Sequence, residues 1–108
     1  VLTQRGIASI GMKSLSGNAE PIKQGLVTPE EALRYVLSLP IASLVSGIDS
    51  RDVLRQNLDI VRRFVPMTVA EMQGLRTRVA RYAMDGRFEL FKSTNRYDGR
   101  IGREQHGL

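Results

Sequence analysis

Residues 28–50, TPEEALRYVLSLPIASLVSGIDS, place a capped helix directly before an apolar run. Thr28 can cap a helix through its hydroxyl, Pro29 suits the first helical position, and Glu31 can bond back to the capping amide. The helix is predicted to end near Pro40, because a proline disfavours helical backbone in the residue before it. The apolar positions on its inner side are Leu33, Val36 and Leu37.

A second apolar run lies upstream of this helix. Residues 6–15, GIASIGMKSL, contain no acidic group and suit a strand buried on both faces, as in a parallel sheet. The downstream run, residues 41–48, is rich in β-branched side chains. The runs start at positions 7 and 41, and this spacing of 34 residues fits one βαβ unit of about 30 residues or more. The sequence therefore predicts parallel strands at 7–15 and 41–48.

Two more helices are predicted after the second strand. Asp49 or Ser50 can cap the first of them, whose apolar stripe is expected at Leu54, Leu58 and Val61. Thr68 and Glu71 form another capping box, which begins a helix over residues 69–84. The apolar seam of this last helix, at Val69, Met72, Leu75, Val79 and Tyr82, is predicted to serve packing rather than cofactor binding.

The composition is that of an ordinary globular chain of 108 residues, with 42% hydrophobic positions and no cysteine. One domain fits this length. We expect neither a membrane span nor a secretory leader, and the cytoplasm is the predicted location. Because cysteine is absent and His106 is the single histidine, no metal site is predicted.

The net charge of +5 comes from the second part of the chain. Basic and acidic groups balance up to residue 60, and all the excess follows. The arginines that could meet phosphate are Arg62, Arg63, Arg76, Arg78 and Arg81. No aromatic side chains are interleaved with them for base stacking, so a solvated helix face is the favoured interpretation.

Phosphate-compatible groups follow both predicted strands. Ser46-Gly47-Ile48-Asp49-Ser50 places a glycine and a helix start, where free amides favour an anion, at the end of the second strand. Residues 12–17 offer a lysine, two serines and a glycine after the first strand. Because ligands of parallel α/β folds bind at the carboxyl ends of strands, the two segments suggest one shared nucleotide-phosphate site.

Three stretches together resemble the C-terminal part of the aldo/keto reductases. They are Gly11-Met12-Lys13-Ser14-Leu15, residues 32–40 (ALRYVLSLP), and Ser46-Gly47-Ile48-Asp49-Ser50 followed by Leu54-Arg55-Gln56-Asn57. The similarity is to bacterial members whose seventh strand ends in Gly-Met-Lys. The most specific element is the spacing of Gly47, Leu54 and Asn57, because the family has glycine or lysine, then leucine or isoleucine seven positions on, and Glu-Asn at nine and ten.

The resemblance implies an α/β fold, namely the C-terminal βαβα portion of a TIM (β/α)8 barrel with an extra C-terminal helix. Residues 1–66 would form the last two βα units, residues 67–92 the C-terminal extension helix and residues 93–108 a flexible basic tail. The implied activity is NADP(H)-dependent carbonyl reduction by hydride transfer. The implied partners are the remainder of the barrel, or a second copy of the chain, and a small carbonyl substrate in the full enzyme, with neither membrane nor nucleic acid.

Cofactor-binding roles follow from the same resemblance. Met12 takes the place of an aromatic ring that packs on the nicotinamide, and Lys13 and Leu15 line the cofactor. After the second strand, the residues implied to border the adenosine 2′-phosphate are Gly47, Ser50 and Arg51. Gln56 and Asn57 are implied to meet the adenine.

The chain departs from the family at the nucleotide-binding positions. Many members carry lysine and arginine where this chain has Gly47 and Val53, so NADH stays open as an alternative to NADPH. Gln56 stands where glutamate is usual, and Met12 can pack on a ring through its polarisable thioether although it cannot stack as an aromatic does.

No catalytic residue is assigned. The family's tyrosine acid and its lysine, aspartate and histidine partners come from earlier strands. Tyr35 and Tyr82 lie on helical seams, and Tyr97 and His106 lie in the tail. The chain alone is therefore predicted to be inactive.

Two alternatives remain open. One is a non-catalytic helical interaction module, whose basic face at Arg76, Arg78 and Arg81 binds an acidic partner or nucleic acid. The other is a non-functional remnant that dimerises through exposed strand edges.

Overall fold

Short strands alternate with helices along the chain. The computed structural model describes residues 1–16 and 19–84. Within these ranges the elements are a short 3-10 helix at Thr3–Arg5, β1 at Ile10–Gly11, α1 at Glu20–Lys23, α2 at Pro29–Leu37, β2 at Ser43–Leu44, α3 at Arg51–Arg62 and α4 at Val69–Ala83. The sequence predicted the order of the other elements, whereas the 3-10 helix and α1 are two short elements that it did not predict. No helix of the described ranges is long and apolar enough to cross a bilayer.

β1 and β2 pair in parallel, with Gly11 opposite Leu44. The Val45 N–H donates to the Gly11 carbonyl and the Ala42 N–H to the Ser9 carbonyl, both at 2.8 Å. This pairing confirms the βαβ connection that the spacing of the two apolar runs predicted. The barrel to which such a unit could belong stays a prediction.

Both strands are shorter than predicted, with two residues each in place of 7–15 and 41–48. Lys13 has a φ of 55°, which leaves the extended region and ends β1. Ile7 and Ile10 are 49% and 67% exposed, so the expectation of a first strand buried on both faces is wrong. A strand is buried on both faces when helices cover both sides of its sheet, and the exposure of Ile10 shows that one side of β1 is not covered here.

α2 begins with the capping box predicted from the sequence. The Glu31 N–H donates to the Thr28 hydroxyl at 3.1 Å, and the Thr28 N–H donates to the Glu31 carboxylate at 2.9 Å. Leu33 is 1% exposed and is the most deeply buried apolar side chain of the described structure. Val36 and Leu37, which were predicted to share that inner face, are half-buried.

Gly11 allows α2 and the strands to approach closely. A Cβ added to Gly11 would lie 3.2 Å from the side chains of both Val36 and Ile41 and 3.3 Å from that of Leu44. These distances are shorter than ordinary van der Waals contacts between carbon atoms. A side chain at this position would therefore push the helix away from the sheet.

α3 buries a different stripe from the one predicted. Ser50 is its cap and accepts from the Val53 N–H at 3.2 Å. The buried residues are Asn57 and Ile60, whereas the predicted stripe of Leu54, Leu58 and Val61 is 40%, 43% and 53% exposed. The prediction was wrong because an apolar pattern does not fix which side of a helix faces its neighbour, and α2 packs against the other side.

α4 also begins with its predicted capping box, between Thr68 and Glu71. Leu75 is buried, and Met72, Val79 and Tyr82 are half-buried, as the seam predicted. Val69 is 81% exposed and does not belong to the seam. It occupies the first position of the helix. Residues 85–92 of the predicted extension and the predicted tail at 93–108 lie outside the described residues.

Polar contacts from α2 hold the segment that leads into α4. The Arg34 side chain donates from Nε to the Val65 carbonyl at 3.1 Å and forms an ion pair of 3.6 Å with Glu71. The Ser38 hydroxyl accepts from the Met67 N–H at 2.8 Å. The start of α4 is thereby fixed on the last turns of α2.

Candidate functional site

The segments that follow the two strands leave the sheet at the same edge, because the strands are parallel. The bond from the Val45 N–H to the Gly11 carbonyl makes Met12 and Val45 neighbours at that edge. The predicted residues Met12 and Lys13 therefore lie beside the segment that leads to Gly47. These two segments and the start of α3 form the candidate site.

The segment after β1 has an unusual backbone. Lys13, Ser16 and Ala19 all have positive φ, between 55° and 66°. Non-glycine residues in this region carry strain on the order of 1 kcal/mol or more, and such residues are concentrated at functional sites. Met12 is 66% exposed, Lys13 is exposed, and Leu15 is half-buried. Met12 and Lys13 are thus accessible to a ligand at this edge.

The segment after β2 is open around Gly47. A Cβ built on Gly47 would have no atom within 4 Å. Such free space permits close approach of a ligand to the backbone. The fit to a phosphate group rests on this space and on the nearby start of α3, whose amide groups and dipole favour negative charge.

The polar side chains at the start of α3 differ in whether they already have a partner within the chain. Ser50 uses its hydroxyl as the helix cap, so this oxygen is committed to the helix. Arg51 is exposed and makes no ion pair with any residue of the described ranges. Arg55 lies 3.8 Å from Asp52 in a pair that is largely exposed, where water screens the interaction. Arg51 is the cation of this turn that is available to an anion.

Gln56 and Asn57 are not brought to a common face. Asn57 is 6% exposed, and its Nδ2 donates to the Ser46 hydroxyl at 2.9 Å. Gln56 is exposed and borders a groove of about 400 Å3 between α3 and the start of α2. The other residues lining this groove are Thr28, Pro29, Glu30, Asp59, Ile60 and Arg63.

The arginines of α4 are engaged within the chain. Arg78 forms an ion pair of 2.6 Å with Glu31 of α2. Arg76 donates to the Tyr35 hydroxyl at 3.4 Å and to Gln73 at 3.0 Å, and Arg81 lies over the Tyr82 ring. Arg76 and Arg78 serve the packing of α4 on α2, which leaves less of the predicted basic face for a partner.

Ser46 is the residue of this region whose part was not anticipated. The motif at residues 46–50 predicts a ligand beside Gly47 and gives no role to the Ser46 side chain. The signal was present in the sequence, because Val53, Asn57 and Ile60 follow helical spacing and would have placed Asn57 on a buried face. A buried asparagine requires a hydrogen-bond partner, and a serine just before the helix can supply it.

The comparisons with known proteins identify no relative: no family model, no curated protein and no solved structure matches the chain. Within the described residues, no group of three or more acidic, histidine or cysteine side chains is arranged to hold a metal ion.

Proposed function

We propose that this chain is the C-terminal part of an NADP(H)-dependent aldo/keto reductase and supplies part of its dinucleotide site. The observation that carries the proposal is the parallel pairing of β1 with β2. This pairing brings Met12, Lys13 and the segment around Gly47 to one sheet edge, next to the start of α3. These are the segments in which the sequence resembles that family.

The residues suit different parts of the cofactor. Lys13 and Arg51 supply positive charge for phosphate groups, and Gly47 allows a phosphate to come close to the backbone. Met12 offers a polarisable surface for the nicotinamide ring. Gln56, an exposed amide, remains the candidate near the adenine, whereas Asn57 is buried and its amide donates to Ser46.

When bound, the cofactor supplies the hydride that reduces a carbonyl carbon. The residues of this chain would bind and orient it. The resemblance assigns no catalytic group to the described residues, and we assign the catalytic groups to other strands of the full enzyme. We assign the substrate pocket to those other strands of the full enzyme as well.

Uncovered apolar side chains support a larger assembly. Ile10, Met12 and Val45 are each more than half exposed on or beside the strands, and Leu54, Leu58 and Val61 form an exposed apolar stripe on α3. A two-stranded sheet with such surfaces is marginal in water. Further strands and helices of the same barrel would cover them, and a second copy of the chain is the alternative partner.

The test is a titration of NADPH, and separately of NADH, with the 108-residue chain, followed by cofactor fluorescence. We expect saturable binding that weakens in Arg51→Gln and in Gly47→Leu. The leucine should be tolerated by the fold because no atom lies within 4 Å of its Cβ. The matched control is Arg62→Gln at the far end of α3, which should bind as the parent does.

Aldehyde-dependent oxidation of NADPH should stay at background with this chain alone. Turnover above background would contradict the assignment of the catalytic groups to other strands. Absence of saturable binding of both cofactors by a folded chain would count against the proposed site. An independent check is the coding sequence upstream of Val1, where the proposal expects about two hundred residues of strand–helix units.

A further inference from the structure

One hydrogen bond ties residues 46–49, which lie between β2 and α3, to the rest of the described structure. Residues 46–49 make no backbone hydrogen bond to another described residue. Their side-chain contact is the 2.9 Å bond from Asn57 Nδ2 to the Ser46 hydroxyl. Gly47, which follows Ser46 directly, is thus positioned by a side chain from the middle of α3.

Asn57 occupies its site at an energetic cost. It is 6% exposed, and its Oδ1 is buried without a hydrogen-bond partner in the described part of the chain. A buried carbonyl oxygen that loses its bonds to water and gains no other destabilises the fold. An apolar side chain between Val53 and Ile60 would avoid this penalty. Packing alone therefore does not explain an asparagine at this position.

We propose that Asn57 is a positioning residue that, through Ser46, fixes the 46–49 segment in the conformation that admits a dinucleotide phosphate beside Gly47. The role toward the dinucleotide rests on the proposed function, whereas the link between Asn57 and the segment does not. In this view Asn57 acts on the cofactor through the segment, since its side chain is buried and one of its two amide hydrogens bonds to Ser46.

The first measurement follows the backbone motion of Gly47 and Ile48 by 15N relaxation in the full chain. In the parent protein we expect order parameters near ~0.85, the value of rigid backbone. Ser46→Ala and Asn57→Leu should each lower them toward ~0.6 or less, the value of flexible segments. Ser46→Thr, which keeps the hydroxyl, should restore the parent value, and Ser43→Ala on β2 serves as the matched control.

The second measurement is chemical denaturation of the same variants. Asn57→Leu removes the unpartnered carbonyl and fills the helix face with an apolar group, so its unfolding midpoint should be equal to the parent's or higher. A merely structural asparagine would give a lower midpoint. The combination of an unchanged or higher midpoint with a more mobile segment is specific to a positioning role. If the leucine does not fit the helix face, Asn57→Ala replaces it, because alanine adds no bulk. This variant should show the same increase in the mobility of the segment.

The third measurement is NADPH affinity. When only a fraction of the molecules holds the competent segment, the apparent dissociation constant rises by the inverse of that fraction. A typical neutral hydrogen bond corresponds to about a fivefold change. We expect about this loss in Ser46→Ala, the same loss in Asn57→Leu, and no further loss in the double variant.

The outcomes separate the two proposals. Order parameters of Gly47 and Ile48 that are unchanged in Ser46→Ala and Asn57→Leu would overturn the positioning role. So would a loss of NADPH affinity in Asn57→Leu that Ser46→Ala does not share, because that pattern indicates direct contact. If the parent binds no cofactor but the segment becomes mobile as expected, the link stands and the proposed function fails.

Discussion

Glu31 of α2 and Arg78 of α4 form an ion pair in which Oε1 and Nη2 are 2.6 Å apart, across 47 positions of sequence. The same carboxylate accepts from the Thr28 N–H and closes the capping box of α2. Arg34 and Glu71 form a second pair between the two helices. Because Glu31 pairs with Arg78 and Arg34 with Glu71, the two helices run antiparallel.

Removal of the Arg78 guanidinium should loosen α4. We expect Arg78→Gln to lower the free energy of unfolding by about 1 kcal/mol, since the pair is partly buried and its hydrogen bond is charge-assisted. Urea denaturation measures the change. Arg62→Gln is the matched control, because Arg62 and Asp59 lie 3.9 Å apart and are 73% and 63% exposed. Equal effects of the two substitutions would contradict a special role for the Glu31 pair.

Acidification should release α4 from α2. Burial raises the pKa of Glu31, but the bonds from Arg78 and Thr28 outweigh it and hold the pKa below its usual value of 4.5. The bond from the Thr68 N–H, with Arg34 nearby, lowers the pKa of Glu71 in the same way. A lowered pKa stabilises the fold above pH 4.5, and this contribution is lost as the pH falls through the folded value.

Thermal unfolding measured against pH tests this prediction. The midpoint temperature of unfolding should decrease once the pH is below 4.5, the reference pKa of both carboxyls. Glu31→Gln should weaken this dependence on pH. Glu30→Gln changes a neighbouring carboxyl that makes no ion pair with the described residues and should leave the acid response intact. An acid response that is the same in Glu31→Gln as in the parent would rule out the mechanism.

Two glycines should respond in opposite directions to alanine. Gly11→Ala places a Cβ 3.2 Å from Val36 and Ile41, and we expect it to destabilise the fold by about 1 kcal/mol through overpacking. Gly74→Ala in α4 meets no atom within 4 Å and should stabilise the fold by about 0.5–1 kcal/mol. Urea denaturation of the two variants measures both changes in the free energy of unfolding. A neutral or favourable Gly11→Ala would contradict the close approach of α2 to the strands.

The buried stripe of α3 can be tested with two truncations on one helix. Ile60 is 5% exposed and Leu58 is 43% exposed. Ile60→Ala should cost about 2–4 kcal/mol through cavity formation, whereas Leu58→Ala should change the free energy of unfolding by less than about 0.5 kcal/mol. The same denaturation series serves both. A larger effect at Leu58 would mean that this face is covered in solution, by a second copy or by a partner.

The sequence predicted the helix caps and the strand pair, but it did not predict which side of α3 is buried. The two capping boxes at Thr28 and Thr68 depend on residues three positions apart, so the sequence predicted both. The parallel strand pair followed from the spacing of two apolar runs. The buried side of α3 depends on where α2 packs, and the alternative stripe of Leu54, Leu58 and Val61 was the more apolar choice.

The candidate site divides in the same way. The positions of Met12, Lys13 and Gly47 at one sheet edge follow from parallel strands, and they were predictable. The bond between Asn57 and Ser46 was harder to predict, because the spacing of Val53, Asn57 and Ile60 competed with a more apolar stripe for the buried face of α3. Ser50 was expected to border a ligand, but its hydroxyl is used as the helix cap, a use that the sequence had equally allowed.

Glu31 and Glu71 each close a capping box and also form an ion pair with the other helix. Each glutamate therefore links the start of its own helix to the contact between the two helices. Helix initiation is a local step, and docking of one helix on another is a long-range step. Here Glu31 and Glu71 take part in both, so neither helix can lose its first turn without weakening its attachment to the other. Fraying of the first turn of either helix should therefore be coupled to a weaker hold on the other helix.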